Sequence, residues 1–269
     1  MLKKRIIFTL LYDNGNYMLS RNFRLQNVGN LNWLKENYVF SKISFSIDEL
    51  LVLNVSRENI GQDLFMDHIK ELTKECFIPI AAGGGIKKLD DAKLLFKSGA
   101  DKVVINSAIN ENPNLIKKIA RAYGSQSIIA SIDVKFENNN FIVYTNGGTK
   151  KLEKVLNRYI NYVTGLPIGE IYLNSIDKDG TGQGYFFEIL KEIPDKIKVP
   201  VILAGGVGNY IHFDEGLNYS KIDAVATAHL FNFIGDGLKV SRHKLINKGH
   251  KLPTWEVDKL FNLKNALYN

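Results

Sequence analysis

The sequence lacks the features that mark several function classes. One cysteine, Cys76, stands in 269 residues. A lone thiol excludes an internal disulfide framework and a cysteine-built metal site, and it fits a reducing cytoplasm. Cys76 itself reads as a helix residue without a role. Long apolar runs are missing: none approaches the roughly 18 residues of a membrane span. The N-terminal MLKKRIIFTLL is basic and then briefly apolar. No small-residue cleavage site follows, so it reads as a first strand and not as a signal peptide. There is no dense basic block either. The net charge of +7 is spread in lysines among many asparagines. That sets nucleic acid aside as a partner and suits anionic small molecules. His212, His243 and His250 lack metal-ligand spacing, and neither metal nor cofactor is expected.

What is present is regular. Apolar residues at 45% and charged residues at 23% are ordinary for a globular chain. Eight short apolar or β-branched runs recur: RIIFTL, IDELLVLN, IPIAA, DKVVIN, SIIASID, GEIYLNS, VPVILA and DAVATA. Amphipathic helical patterns lie between most of them. LDDAKLLFKSGA (Leu89–Ala100) ends on Gly99 as a C-cap, and NPNLIKKIARAYG (Asn112–Gly124) carries Pro113 in its first turn. Eight such units predict a parallel sheet buried on both faces, closed as a (β/α)8 barrel over the single domain 1–269. A doubly wound open sheet is the alternative. Segment 235–269 reads as a final helix and tail, over the barrel bottom or against a partner. Ile78–Ala108 and Val199–Ala228 echo one another as strand, glycine turn, helix, strand and small-residue turn. The barrel is therefore expected to have two similar halves, with glycine turns on opposite sides of its mouth.

Those turns are candidate anion sites. Gly83, Gly84 and Gly85 follow the third strand, and Gly205 and Gly206 the seventh. Glycine permits close backbone approach, so several N–H groups can converge on one anion. Asn106 and Ser107, and Thr227 and Ala228, end the strands beside each turn. Two opposed sites imply an elongated ligand with a phosphate at each end. Asp133, at the end of the fifth strand, is a candidate general acid or base. Asp177 reads as a turn cap, and Asp179-Gly180 as a ligand-orienting pair. At the opposite strand ends stand Arg5, Glu49, Lys102 and Glu170. Two cations and two anions there can close a ring over the barrel axis, as a stabilising plug.

Taken together, KKRII, IDELLVLN, GGGI, GADKVVIN, ENPNLI, YGSQSIIASIDVK, GEIYLNSIDKDGTGQGY, VPVILAGGVG and LFNF resemble HisF, the cyclase-subunit family of imidazole glycerol phosphate synthase. The resemblance covers residues 1–233. It implies a barrel that receives ammonia from a separate HisH-like glutaminase at its bottom and passes it to a doubly phosphorylated substrate at its top. It also implies roles. Arg5, Glu49, Lys102 and Glu170 match the gate at the ammonia entrance, which displaces the plug reading. Asp101 matches an acid at the glutaminase interface. The two glycine turns, with Asn106, Asp179 and Gly180, match two phosphate sites. Asp133 matches one of two catalytic aspartates.

The other aspartate is expected after Leu10, where this chain has Leu11. Asp13, two residues on, is a substitute only if the strand continues. Further departures lie on the same side: Leu19 aligns with a lysine, Asn54 with an acid, and His229 with a small polar residue. The ammonia route is kept and the cyclase chemistry compromised. That pattern resembles HisF-like paralogues of bacterial surface-glycan gene sets, which work with a HisH-like glutaminase and a sugar amidotransferase that turns an acetamido group into an acetamidino one. Ammonia delivery in such a system, in the cytoplasm, is the expected function. The alternatives are a histidine-pathway cyclase with another base, and a non-catalytic scaffold that activates the glutaminase.

Overall fold

The computed structural model describes residues 3–254, apart from 39, 44 and 57–61. All eight apolar runs form strands: β1 (Arg5–Asp13), β2 (Glu49–Asn54), β3 (Ile80–Gly83), β4 (Lys102–Ile105), β5 (Ile128–Glu137), β6 (Glu170–Ser175), β7 (Val201–Ala204) and β8 (Ala224–Thr227). Each pairs in parallel with the next, and β8 pairs β1, which closes the barrel. This is the (β/α)8 architecture.

Alternation along the strands divides the core into two layers. Successive side chains point to opposite faces. Ile6, Phe8 and Leu10 face outward into the layer shared with the helices, whereas Ile7 joins Leu51, Ala81, Val104, Ile129, Ile202, Ala224 and Ala226 inside the barrel. The same parity puts Arg5, Thr9 and Leu11 on the inward face of β1. Thr9 Oγ1 and Tyr172 Oη meet there at 3.3 Å, joining β1 to β6 across the interior.

The helices follow their start and stop chemistry. Helix Pro113–Tyr123 has proline in its first turn and ends at Gly124, whose φ of +85° only glycine adopts easily. Helix Leu89–Lys97 ends two residues before Gly99. After β6 a 3-10 turn, Phe187–Glu192, replaces the α-helix expected of a barrel unit. The last helix among the described residues, Gly237–Asn247, is tied to the foot of β2 by a buried bidentate pair, Arg242 with Asp48, at 2.8 and 3.0 Å. The end of the expected tail, 255–269, lies outside the described residues. Among those described, no helix is long and apolar enough to cross a membrane.

Two hairpins were not legible as elements. One follows β1 (Asn16–Arg21 and Arg24–Asn30), and one follows β5 (Asn140–Thr145 and Lys150–Val155). β1 turns into the first at Asn14-Gly15 and β5 into the second at Asn138-Asn139, all four residues at positive φ, as a two-residue turn between antiparallel strands with the right twist requires. Both hairpins rise from the C-terminal ends of the strands and stand over the mouth.

The two halves repeat one anchoring device. Asp101 Oδ2 accepts the N–H of Ile80 at 2.8 Å, and Asp223 Oδ2 that of Val201 at 3.0 Å. Each aspartate, just before its own strand, fixes the foot of the preceding one. Asp48 does the same for Ile6 at 2.8 Å.

Candidate active site at the barrel mouth

The foot of the barrel carries the charges. Arg5 reaches Glu49 at 2.9 Å and Glu170 at 2.5 Å, and Lys102 reaches Glu49 at 3.0 Å and Glu170 at 2.6 Å. The four side chains close a ring across the axis. Burial pushes the Glu49 carboxyl up, with Lys102 and Arg5 opposing it. Burial would also raise Glu170, but Arg5 and Lys102 outweigh it and hold Glu170 below the ordinary range. Asp101 lies exposed beside this ring, with one oxygen engaged by Ile80.

At the opposite end lies a cavity of about 610 Å³. The mouth residues predicted from sequence line it, except Gly83, Asp13, Leu19 and Asp177. Gly83 is the last residue of β3, where a side chain would meet the Val104 carbonyl at 2.4 Å. It serves packing of β3 against β4. β1 continues to Asp13, which pairs with Asn16, yet the Asp13 carboxylate accepts a hydrogen bond from Ser56 Oγ at 2.7 Å.

The glycine turns are matched. A Cβ at Gly84 would meet the Asn54 carbonyl at 2.0 Å, and one at Gly206 would meet the Gly184 carbonyl at 2.0 Å. Both have positive φ. The N–H groups of Gly84, Gly85, Gly205 and Gly206 donate to no other described residue. Two sets of unengaged backbone donors thus belong to turns that line the cavity, one after β3 and one after β7. Ser107 Oγ, beside the first set, is bound to Asn146 Oδ1 at 2.8 Å, which draws the β5 hairpin to the rim.

Asp133 is buried in the wall between them. Asn106 Nδ2 donates to its Oδ2 at 2.9 Å. Asn174, its register partner on β6, stands beside it. Burial pushes the Asp133 carboxyl up to about 7, and nearby Asp179 adds to the rise. Near neutral pH such a group can give or take a proton.

A stability signature follows. The folded carboxyl titrates near 7 and the unfolded one near 4, so the folded chain binds the extra proton between them. Stability is therefore lost as pH rises through that window, by on the order of 4 kcal/mol at full ionisation. Asp133→Asn removes the ionisation and keeps the shape. Its melting temperature should exceed that of the wild type above pH 7, and the gap should close toward pH 4. A gap that is flat with pH would contradict the shift.

Asp179 serves the roof as much as the cavity. Ser20 Oγ and the Phe23 N–H, the latter at 3.0 Å, both donate to its Oδ2, and the Asn22 N–H donates to its carbonyl at 2.9 Å. These bonds clamp the β1 hairpin across the mouth. Gly180 lets the two segments touch: a Cβ there would meet the Ser20 carbonyl at 1.8 Å. Phe23, at φ +62°, rests its ring on Gly148 of the β5 hairpin. Asp177 Oδ2 accepts the N–H of Phe136 on β5 at 2.7 Å, so it ties its turn to the neighbouring strand where a cap on the turn itself was expected.

The wall formed by β1 and β2 is different. Leu11 is only 8% exposed, points into the cavity and sits in register with Leu53. Phe23 and Leu25 of the β1 hairpin extend this apolar side. Opposite it stand Asp133, Asn106 and Asn174. Of these contributors, Leu53, Asn174 and the hairpin residues are not among the candidates the sequence offers. Alternation in EIYLNS would have put Asn174 beside Asp133, since Glu170, Tyr172 and Asn174 share a face. Among the described residues no group of three or more His, Cys, Asp or Glu could hold a metal ion.

Comparison with known proteins agrees with this geometry. A family model described as histidine biosynthesis protein matches residues 40–235. A relative from Parasynechococcus marenigrum, named provisionally as imidazole glycerol phosphate synthase subunit hisF2, is 44% identical over 244 residues, 91% of each chain. The imidazole glycerol phosphate synthase subunit HisF of Chlorobium limicola is 34% identical over 93% of this chain and 98% of its own. That of Pyrobaculum aerophilum is 39% identical over 69% of this chain and 73% of its own.

Proposed function

From the premise that this chain belongs to the histidine biosynthesis protein family, in its HisF line, we propose that it carries ammonia. The ammonia comes from a HisH-like glutaminase docked at the foot of the barrel. It leaves at the mouth for an acceptor other than the cyclase substrate, and the reaction served is conversion of an acetamido group to an acetamidino group on a surface-glycan sugar by a separate amidotransferase. One observation carries the reading. The charged ring at the foot is complete, whereas Leu11 occupies the inward position at the mouth where the family's first catalytic aspartate is expected.

The interior suits the task. Between ring and mouth the barrel is lined by Ile7, Leu51, Ile129, Ile202 and several alanines. An apolar lining excludes charged ammonium far more strongly than neutral ammonia. Lys102 is the natural moving part of the gate, because a flexible ammonium stem reorients more readily than the Arg5 fork on Glu170. The glycine turns and Asp133 hold a phosphorylated ligand at the exit.

A second reading has its own observation. Asp133 is raised to about 7 and both glycine turns are intact, which is half of a cyclase site and favours a histidine-pathway enzyme that works without the first acid.

Reconstitution tests the first reading. The glutaminase, the amidotransferase and this chain are combined with the acetamido sugar and glutamine as the only nitrogen source. Acetamidino product should require this chain, and ammonium salt should bypass the requirement. Equal product without the chain would overturn the proposal.

A further inference from the structure

His229 stands just beyond β8, in the turn that borders the cavity. Its ring is half-buried and its tautomer is set by the fold. The Asn232 N–H donates to His229 Nδ1 at 3.3 Å, so in the neutral ring Nδ1 holds the lone pair and Nε2 holds the proton. Asn232 also donates through Nδ2 to the Gly208 carbonyl at 3.0 Å. One residue thus ties His229 to the loop that begins with Gly205 and Gly206. The charged group facing the ring is Asp179, whose Oδ2 is already taken by Ser20 and Phe23.

These contacts leave one free polar edge. Nδ1 is turned to the backbone, so the edge left for the cavity is Nε2–H. It lies at the end of the cavity where the Gly205 and Gly206 N–H groups have no partner among the described residues. We infer that His229 is the side-chain donor of this end of the mouth, holding through its neutral Nε2–H an oxyanion of phosphate size seated on the Gly205–Gly206 turn. The inference deepens the proposed phosphorylated ligand and rests on that reading. Burial disfavours the imidazolium, and protonation at Nδ1 would set its proton against the Asn232 N–H. The donor therefore works uncharged.

Amide-resolved NMR titration with inorganic phosphate tests this, with sulfate as a second probe because its charge is constant from pH 6 to 8. The Gly205 and Gly206 amides report this end, and those of Gly84 and Gly85 report the opposite turn within the same sample. His229→Leu removes the donor. His229→Gln restores an N–H at similar reach without a titratable ring. A hydrogen bond to a charged partner predicts that His229→Leu weakens binding at Gly205 and Gly206 by roughly tenfold or more. The midpoint at Gly84 and Gly85 should not move, and His229→Gln should recover most of the loss. Sulfate affinity of the wild type should stay level from pH 6.5 to 8. Equal midpoints for wild type and His229→Leu at Gly205 and Gly206 would overturn the inference alone. No response at either turn in the wild type would overturn it together with the phosphorylated ligand.

Discussion

Given ammonium salt and the doubly phosphorylated substrate of the cyclase family, the wild-type chain should show no turnover, and Leu11→Asp should gain it. The substitution enters a prepared place. Leu11 is on the inward face of β1, lines the cavity and has Leu53 beside it in register. A carboxyl there is partly desolvated, which raises its pKa and brings it nearer to working pH. Asp133, already at about 7, stands in the wall opposite. Two carboxyls with raised pKa can then share acid and base steps that one cannot perform alone. A positioned proton-transfer group typically contributes 10²- to 10⁴-fold, so the gain should be that large over whatever background the wild type shows. Steady-state turnover at saturating ammonium decides it. Turnover in the wild type would make the missing acid dispensable and bring histidine biosynthesis forward. Inactivity of both, with substrate bound, would place the lost chemistry elsewhere than residue 11.

Asp13 takes its meaning from the same strand. The sequence leaves open whether β1 reaches it. β1 does reach it, because Asn14-Gly15 forms a tight hairpin turn that carries the strand on to pair with Asn16. Asp13 therefore shares the face of Leu11 by parity, yet Ser56 holds its carboxylate outside the cavity lining. A parity argument fixes which face a residue is on. It cannot fix which partner from another strand takes the side chain.

That limit separates what could be read from what could not. The eight strands were legible because fully buried parallel strands are short apolar runs bounded by turn residues, as in VPVILAGG. The ring was legible because four charges start strands, and strand starts gather at one end of a barrel. The matched glycine turns were legible because the halves repeat. The hairpins were not. The segment FENNNFIVYTNGGTKKLEKV holds one short apolar run, FIVYT, among Asn, Gly and Lys, outside the eight runs of the barrel. Its turn depends on Asn138 and Asn139 both taking positive φ, which asparagine tolerates but does not announce. The use of Asp179 as a clamp for the roof depends on the hairpin it holds, so it shows only in the fold. Asp101 shows the reverse case: matched to a partner interface, it also caps Ile80, as Asp223 caps Val201.

Removing one acid from the ring at the foot should be among the most damaging single changes in the barrel. Glu49 is buried and touches both Arg5 and Lys102. Glu49→Ala leaves two cations to share Glu170, with one positive charge uncompensated among buried neighbours. Breaking a buried pair in this way costs about 3–5 kcal/mol, measurable as a lowered denaturation midpoint at unchanged slope. Stability alone does not separate a plug from a gate, since both predict the loss. Nitrogen transfer does. A plug only holds the barrel together, so at a temperature where Glu49→Ala is still folded, product per glutamine hydrolysed should match the wild type. A gate handles only ammonia that enters from the foot. Product per glutamine hydrolysed should then fall steeply, while ammonium salt, which reaches the mouth from solution, supports transfer as in the wild type. A wild-type yield per glutamine hydrolysed would return the ring to a structural role and remove the main support for ammonia passage through this barrel.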